Sequence, residues 1–145
     1  MREIKFKGQQ LSNGDWIVGD LNHLVDGVYI SNDNGNNMAQ VNPDTVCQFT
    51  GFLDKNGKEI YEGDILRSDE YPFSCMEDGE RDNYFGIIEW SNEEAMFVLT
   101  CVKNPKSSVR GISDGISEEI TQQKLDGFEI VGDIHNTEWK SKLNL

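Results

Sequence analysis

Phe49-Thr50-Gly51-Phe52-Leu53-Asp54-Lys55-Asn56-Gly57-Lys58-Glu59-Ile60-Tyr61-Glu62-Gly63-Asp64-Ile65-Leu66-Arg67 is the stretch that decides the fold. Its centre, Asp54-Lys55-Asn56-Gly57, is a hairpin signal, because Asn-Gly tolerates the positive φ values of a tight β-turn. Apolar residues flank the turn on both sides. Glu62-Gly63-Asp64 then interrupts the chain again, and a new strand restarts at Ile65. Asp54, Asn56, Gly57, Gly63 and Asp64, with Gly132 further on, are expected to shape the fold rather than to perform chemistry.

Before this stretch, period-2 alternation dominates. Ile4 and Phe6 fall on one face of a first strand. Asn13-Gly14 turns the chain into Trp16-Ile17-Val18-Gly19-Asp20-Leu21, and Val28-Tyr29-Ile30 is a third strand. The polar run Ser31 to Asn37 reads as a hairpin loop. It has neither the alternating acids nor the closing Glu of a calcium loop. Met38 to Val41 and Thr45 to Phe49 continue the extended pattern.

Beyond it, Asp64 to Arg67 is a strand, followed by an acidic loop over 69–82 whose functional role the sequence leaves open. Tyr84 to Trp90 and Met96 to Lys103 form a hairpin, the second strand apolar enough for burial on both faces. A helix is expected from Glu118 to Leu125, capped by Ser117 and stopped at Gly127. Phe128 to Ile134 is a last strand, and Thr137 to Leu143 a terminal helical turn. Gly-Asp recurs at residues 14–15, 19–20, 63–64 and 132–133, each expected at a strand edge. The fold class is therefore mainly β: antiparallel hairpins, a small SH3-like barrel in the second half by analogy of strand pattern, and one or two short helices.

The chain has 145 residues, with 26 Asp and Glu against 13 Lys and Arg, a net charge of −13. That charge opposes direct contact with nucleic acid or anionic lipid, where clustered cations are needed. No run reaches the roughly 18 apolar residues of a membrane span. Cys47, Cys75 and Cys101 are odd in number and widely spaced, which fits reduced thiols in the cytoplasm rather than a disulfide framework. Cys47 and Cys101 read as small core residues. Cys75 sits among carboxylates that disfavour a thiolate.

Chemistry is hard to find. There is no C-x-x-C or H-x-x-x-H pair, and His23 and His135 are remote from each other. No Gly-x-Ser-x-Gly elbow occurs, and Gly57-Lys58 is followed by Glu59 rather than a phosphate-loop hydroxyl. No catalytic, metal or cofactor-binding residue is assigned, and no cofactor is expected. The basic stretch Lys103, Lys106 and Arg110 reads as a solvated loop, or else as a contact for an acidic partner. The aromatics, Trp16, Tyr29, Tyr61, Tyr84, Trp90 and Trp139, read mostly as core, with a groove of Trp90 and Tyr61 as the lesser alternative.

Thr50-Gly51, Asp54-Lys55-Asn56-Gly57 and Ile60-Tyr61-Glu62-Gly63-Asp64 together resemble the signature of the YopX family of phage and prophage proteins. Phe128-Glu129-Ile130-Val131-Gly132-Asp133-Ile134-His135-Asn136 is similar to a second family stretch, from which Asp133 and His135 depart. Arg2 to Gly8 and Asp15 to Leu21 also fit, so the resemblance spans most of the chain, least over 68–83 and 103–127. It implies a β-rich fold, a phage-derived gene in a bacterial host, and no catalytic residues. The expected organisation is one YopX-like domain over 1–145, with a division into lobes 1–50 and 51–145 left open. The expected role is a non-enzymatic accessory protein that binds a protein partner or self-associates as a homo-oligomer. The alternative is an acidic DNA mimic that inhibits a host nucleic-acid enzyme.

Overall fold

The computed structural model describes residues 2–68, 84–102 and 117–143. The acidic loop, Cys75 and the Lys103–Arg110 stretch lie outside the described residues. The chain divides into two compact units, Met1–Gly51 and Phe52–Leu145.

The first unit contains β1 (Phe6–Gln9), β2 (Trp16–Leu24), β3 (Gly27–Asn32), β4 (Asn37–Gln40) and the start of β5 (Cys47–Leu53). The strands are antiparallel in the order β4-β3-β2-β1-β5. Alternation puts Ile17, Leu21, Val28 and Ile30 on one face, where Ile17, Ile30 and Val41 form the buried core with Phe6 and Ala39 around them. Ile4 precedes β1 and is 53% exposed, so the first strand starts two residues later than expected. Gly19-Asp20 lies inside β2, not at its edge. A Cβ on Gly19 would overlap the backbone carbonyl of Ser31, so a close approach of β3 is what requires glycine there.

The polar run after β3 is a turn, as its composition implied. Asp33, Asn34 and Gly35 all take left-handed φ values, 52°, 55° and 84°, a conformation that Asp, Asn and Gly tolerate best. One isolated bridge, Gln10 to Val41, draws the far corner of the sheet round.

The second unit opens with the end of β5 and β6 (Glu59–Tyr61), which pair as the expected hairpin. It continues with β7 (Asp64–Ser68), β8 (Tyr84–Ser91), β9 (Met96–Val102), β10 (Ser117–Glu119), α1 (Gln122–Leu125), β11 (Glu129–Asp133) and α2 (Thr137–Leu143). Strands β7 to β11 form a five-stranded antiparallel sheet in the order β10-β9-β8-β7-β11. Its two faces are both covered. Leu66, Ile88, Leu99 and Cys101 pack under Ile60, Ile120, Leu125 and Phe128. Ile65 and Ile87 pack under Leu143, Trp139 and Ile134. Burial on both faces explains why β9 reads as a nearly continuous apolar run.

Among the described residues the expected SH3-like barrel is not formed. The sheet is open, with β10 and β11 as separate outer strands. The physical reason is that the chain between them does not extend into a closing strand. It turns through α1 and lays Ile120, Leu125 and Phe128 on one face, so packing buries that face without any curling of the sheet.

The expected helix over 118–125 is also shortened. Ser117, Glu118 and Glu119 pair with Thr100, Leu99 and Val98, and the Ser117 and Thr100 hydroxyls lie 2.9 Å apart. The cap is Thr121, whose side chain accepts from the Lys124 N–H at 3.2 Å. The terminal helix over Thr137–Leu143 is present as expected.

Candidate interaction surface

The residues singled out in the sequence converge, but on backbone groups rather than on an open cavity. Asp54, 3% exposed, is the hub. Its Oδ1 accepts from the Asn56 N–H at 2.8 Å and the Lys58 N–H at 2.9 Å, which closes the hairpin turn. Its Oδ2 accepts from the Ile130 N–H at 3.0 Å. The neighbouring Lys55 N–H donates to the Phe128 carbonyl at 2.8 Å. Only Gly57, at φ 79°, is left-handed in this turn; Asn56 is not. The carboxylate therefore does what a pair of left-handed residues was expected to do.

The base of the hairpin is held in the same manner. The Gln122 side-chain amide donates to the Leu53 carbonyl at 2.8 Å and accepts from the Leu53 N–H at 3.0 Å, as a neighbouring strand residue would. The second motif turn repeats the device. Asp64, 2% exposed, accepts from the Tyr61 N–H at 2.8 Å, across Gly63 at φ 85°. The Gly63 carbonyl accepts from the Ile134 N–H at 2.9 Å.

At the far end, Asp133 Oδ1 accepts from the His135 N–H at 2.8 Å. Asn136 Oδ1 accepts from the Glu138 N–H at 2.9 Å and so starts α2. A β-bulge separates Ile130 from Gly132. A Cβ on Gly132 would overlap the Trp139 indole. Asp54 and its turn thus clamp the hairpin to the start of β11, the Gly63-Asp64 turn meets the chain just after β11 at Ile134, and Gly132 packs against Trp139.

Among the described residues, no group of three or more His, Cys, Asp or Glu is placed to hold a metal ion. Cys47 and Cys101 are buried, and the Cys47 thiol donates to the Thr45 carbonyl at 3.2 Å. Tyr29 and Glu138, both at the surface, are shifted from their ordinary values. Tyr29 donates to Asp26 Oδ2 at 3.0 Å, and that hydrogen bond, with the nearby negative charge, raises its pKa. Glu138 is lowered by its hydrogen bond and charge pairing with Lys142, 2.8 Å away on the next turn. Neither faces a second reactive group in a way that makes an acid–base pair.

What alternation alone misjudged is Trp90. It is 44% exposed rather than core, and its ring meets Phe97 edge-on with centroids 5.1 Å apart. Phe97 in turn packs on the main core. The hairpin tip beyond them is held by the Ser91 hydroxyl, which accepts from the Glu94 N–H at 3.2 Å. Ala95 stands there at φ 54°. Tyr61 is 5% exposed, so it offers no open wall for a groove with Trp90. In the first unit the Lys7 ammonium lies over the Trp16 ring, 4.6 Å from its centroid.

The YopX protein family model matches residues 2–138. The chain belongs to the YopX family. The match spans both of the stretches that resemble the family's signature. No curated protein matches the sequence. Among solved structures, the chain is similar to the crystal structure of protein EF1440 from Enterococcus faecalis, at 18% identity and a TM-score of 0.51, over 95% of this chain and 97% of that one. At that identity the likeness supports the fold alone. No helix among the described residues is long and apolar enough to cross a membrane.

Proposed function

We propose that this YopX-family chain is a non-enzymatic, phage- or prophage-derived accessory protein that works by binding another protein or a second copy of itself. The contact we assign is the Trp90 end of the second unit's sheet. The observation that carries this reading is the half-exposed indole of Trp90 held edge-on against Phe97. Tryptophan anchors dominate the energetics of protein interfaces, and a ring braced against the core loses little freedom on binding.

The rival DNA-mimic reading receives less support from the described carboxylates. Asp54 and Asp64 are consumed by the backbone. Glu118, Glu129 and Glu138 are paired with Lys124, Arg67 and Lys142.

The test is light scattering over a wide concentration range, together with affinity capture from the phage-carrying host, on the native chain and on Trp90→Ser. The reading expects association or a retained partner in the native chain and its loss in the variant. A strict monomer that retains the same proteins with and without Trp90 would refute it.

A further inference from the structure

At the start of β11 two backbone groups face away from β7, the carbonyl of Phe128, which just precedes the strand, and the Ile130 N–H. They flank Glu129 and point to the same side. This spacing is self-complementary. In an antiparallel pair centred on Glu129, each Ile130 N–H would meet the Phe128 carbonyl of the other copy. Instead, the hairpin turn of the same chain occupies both positions. The Asp54 carboxylate takes the Ile130 N–H at 3.0 Å. The Lys55 N–H fills the Phe128 carbonyl at 2.8 Å. Glu129 itself is tied to Arg67 and lies 3.9 Å from Lys55, and two copies would set Glu129 against Glu129.

We infer that the Asp54–Lys55 turn is a plug on a latent strand-pairing edge, and that the occupant it excludes is β11 of a second copy. Unprotected edge strands are templates for such association, and proteins block them with charges or with covering loops. Here the covering loop supplies a carboxylate in place of a strand carbonyl. The inference is independent of the Trp90 reading, which concerns the β8–β9 hairpin tip.

The test uses a thiol at position 129, in the full chain carrying Cys75→Ser. In the antiparallel pairing described, the two 129 positions form a non-hydrogen-bonded pair about 4.5 Å apart, within disulfide reach. Under oxidised glutathione, Glu129→Cys alone should stay monomeric on a non-reducing gel. Asp54→Asn combined with Glu129→Cys should give a covalent dimer while circular dichroism stays native. If Asp54→Asn does not fold, Lys55→Pro replaces it, since it removes the other half of the plug and leaves Asp54 in place. Equal cross-linking with the plug intact would overturn the inference. So would a natively folded plug variant that does not cross-link.

Discussion

The Oδ2 atom of Asp54 accepts the backbone N–H of Ile130 at 3.0 Å, across 76 residues of sequence. The same carboxylate closes its own turn through Asn56 and Lys58. One buried side chain thus completes a hairpin and seals the outer strand of the second unit's sheet. The two motif stretches of the family meet at this point.

Asp54→Ala should destabilise the second unit by about 3 kcal/mol, since it strips a charged acceptor from three part-buried hydrogen bonds. Asp54→Asn should lose less, about 2 kcal/mol, because one amide oxygen still accepts within the turn while the amide nitrogen faces the Ile130 donor. Urea titration followed by circular dichroism measures both. Equal stability of Asp54→Ala and the native chain would contradict the placement.

At Gly57 the constraint is conformational, not steric. Its φ is 79° and a Cβ there meets nothing within 4 Å. Gly57→Ala should therefore cost about 1 kcal/mol and Gly57→Val more, with Gly57→Asn the mildest, following the tolerance of each residue for left-handed backbone. Thermal melts of the three variants should rank in that order.

Gly132 presents the opposite case. The Trp139 ring occupies the space a methyl group would need, and Trp139 also packs on Phe85, with centroids 5.6 Å apart. Gly132→Ala should displace α2, lower stability by about 1–3 kcal/mol and shift the Trp139 indole resonance. Gly14→Ala, in open space at φ 76°, should leave that resonance unmoved.

Glu138 titrates below the ordinary glutamate range because Lys142 hydrogen-bonds and pairs with its charged form. A carboxylate whose folded pKa is depressed adds stability above its unfolded pKa, and that contribution disappears as pH falls through the folded value. Both partners are at the surface, so the effect on stability is small. Lys142→Ala should return Glu138 to the ordinary range in a carbon-detected NMR titration. An unchanged Glu138 curve would refute the pairing.

Local signals were the legible ones. Asn-Gly, Glu-Gly-Asp and the polar run after Tyr29 each mark a turn, and alternation locates most strands. The terminal helix lies over Thr137–Leu143 as expected, and Asn136 at its start accepts from the Glu138 N–H. The open sheet was not legible. Strand order depends on where Ile120, Leu125 and Phe128 pack, and no nearest-neighbour pattern encodes that. The helix expected over 118–125 begins only at Gln122, because pairing of Ser117–Glu119 with β9 outweighs helix propensity there. Trp90 was misread because alternation places it on the core-facing side, and only the end of the sheet leaves it in solvent. Asp54 was correctly placed in its turn, but its bond to Ile130 lies beyond any local reading.

The most direct measurement is native-state hydrogen exchange at the Ile130 amide, read by NMR in the native chain and in Asp54→Asn. Ile130 lies on an outer strand with its N–H turned away from β7, so without the carboxylate it would exchange freely. Slow exchange in the native chain, and an increase of at least tenfold in the variant while the Ile88 and Leu99 amides stay protected, is the predicted result. Rapid exchange of Ile130 in the native chain, or a rate indifferent to Asp54, would contradict the clamp.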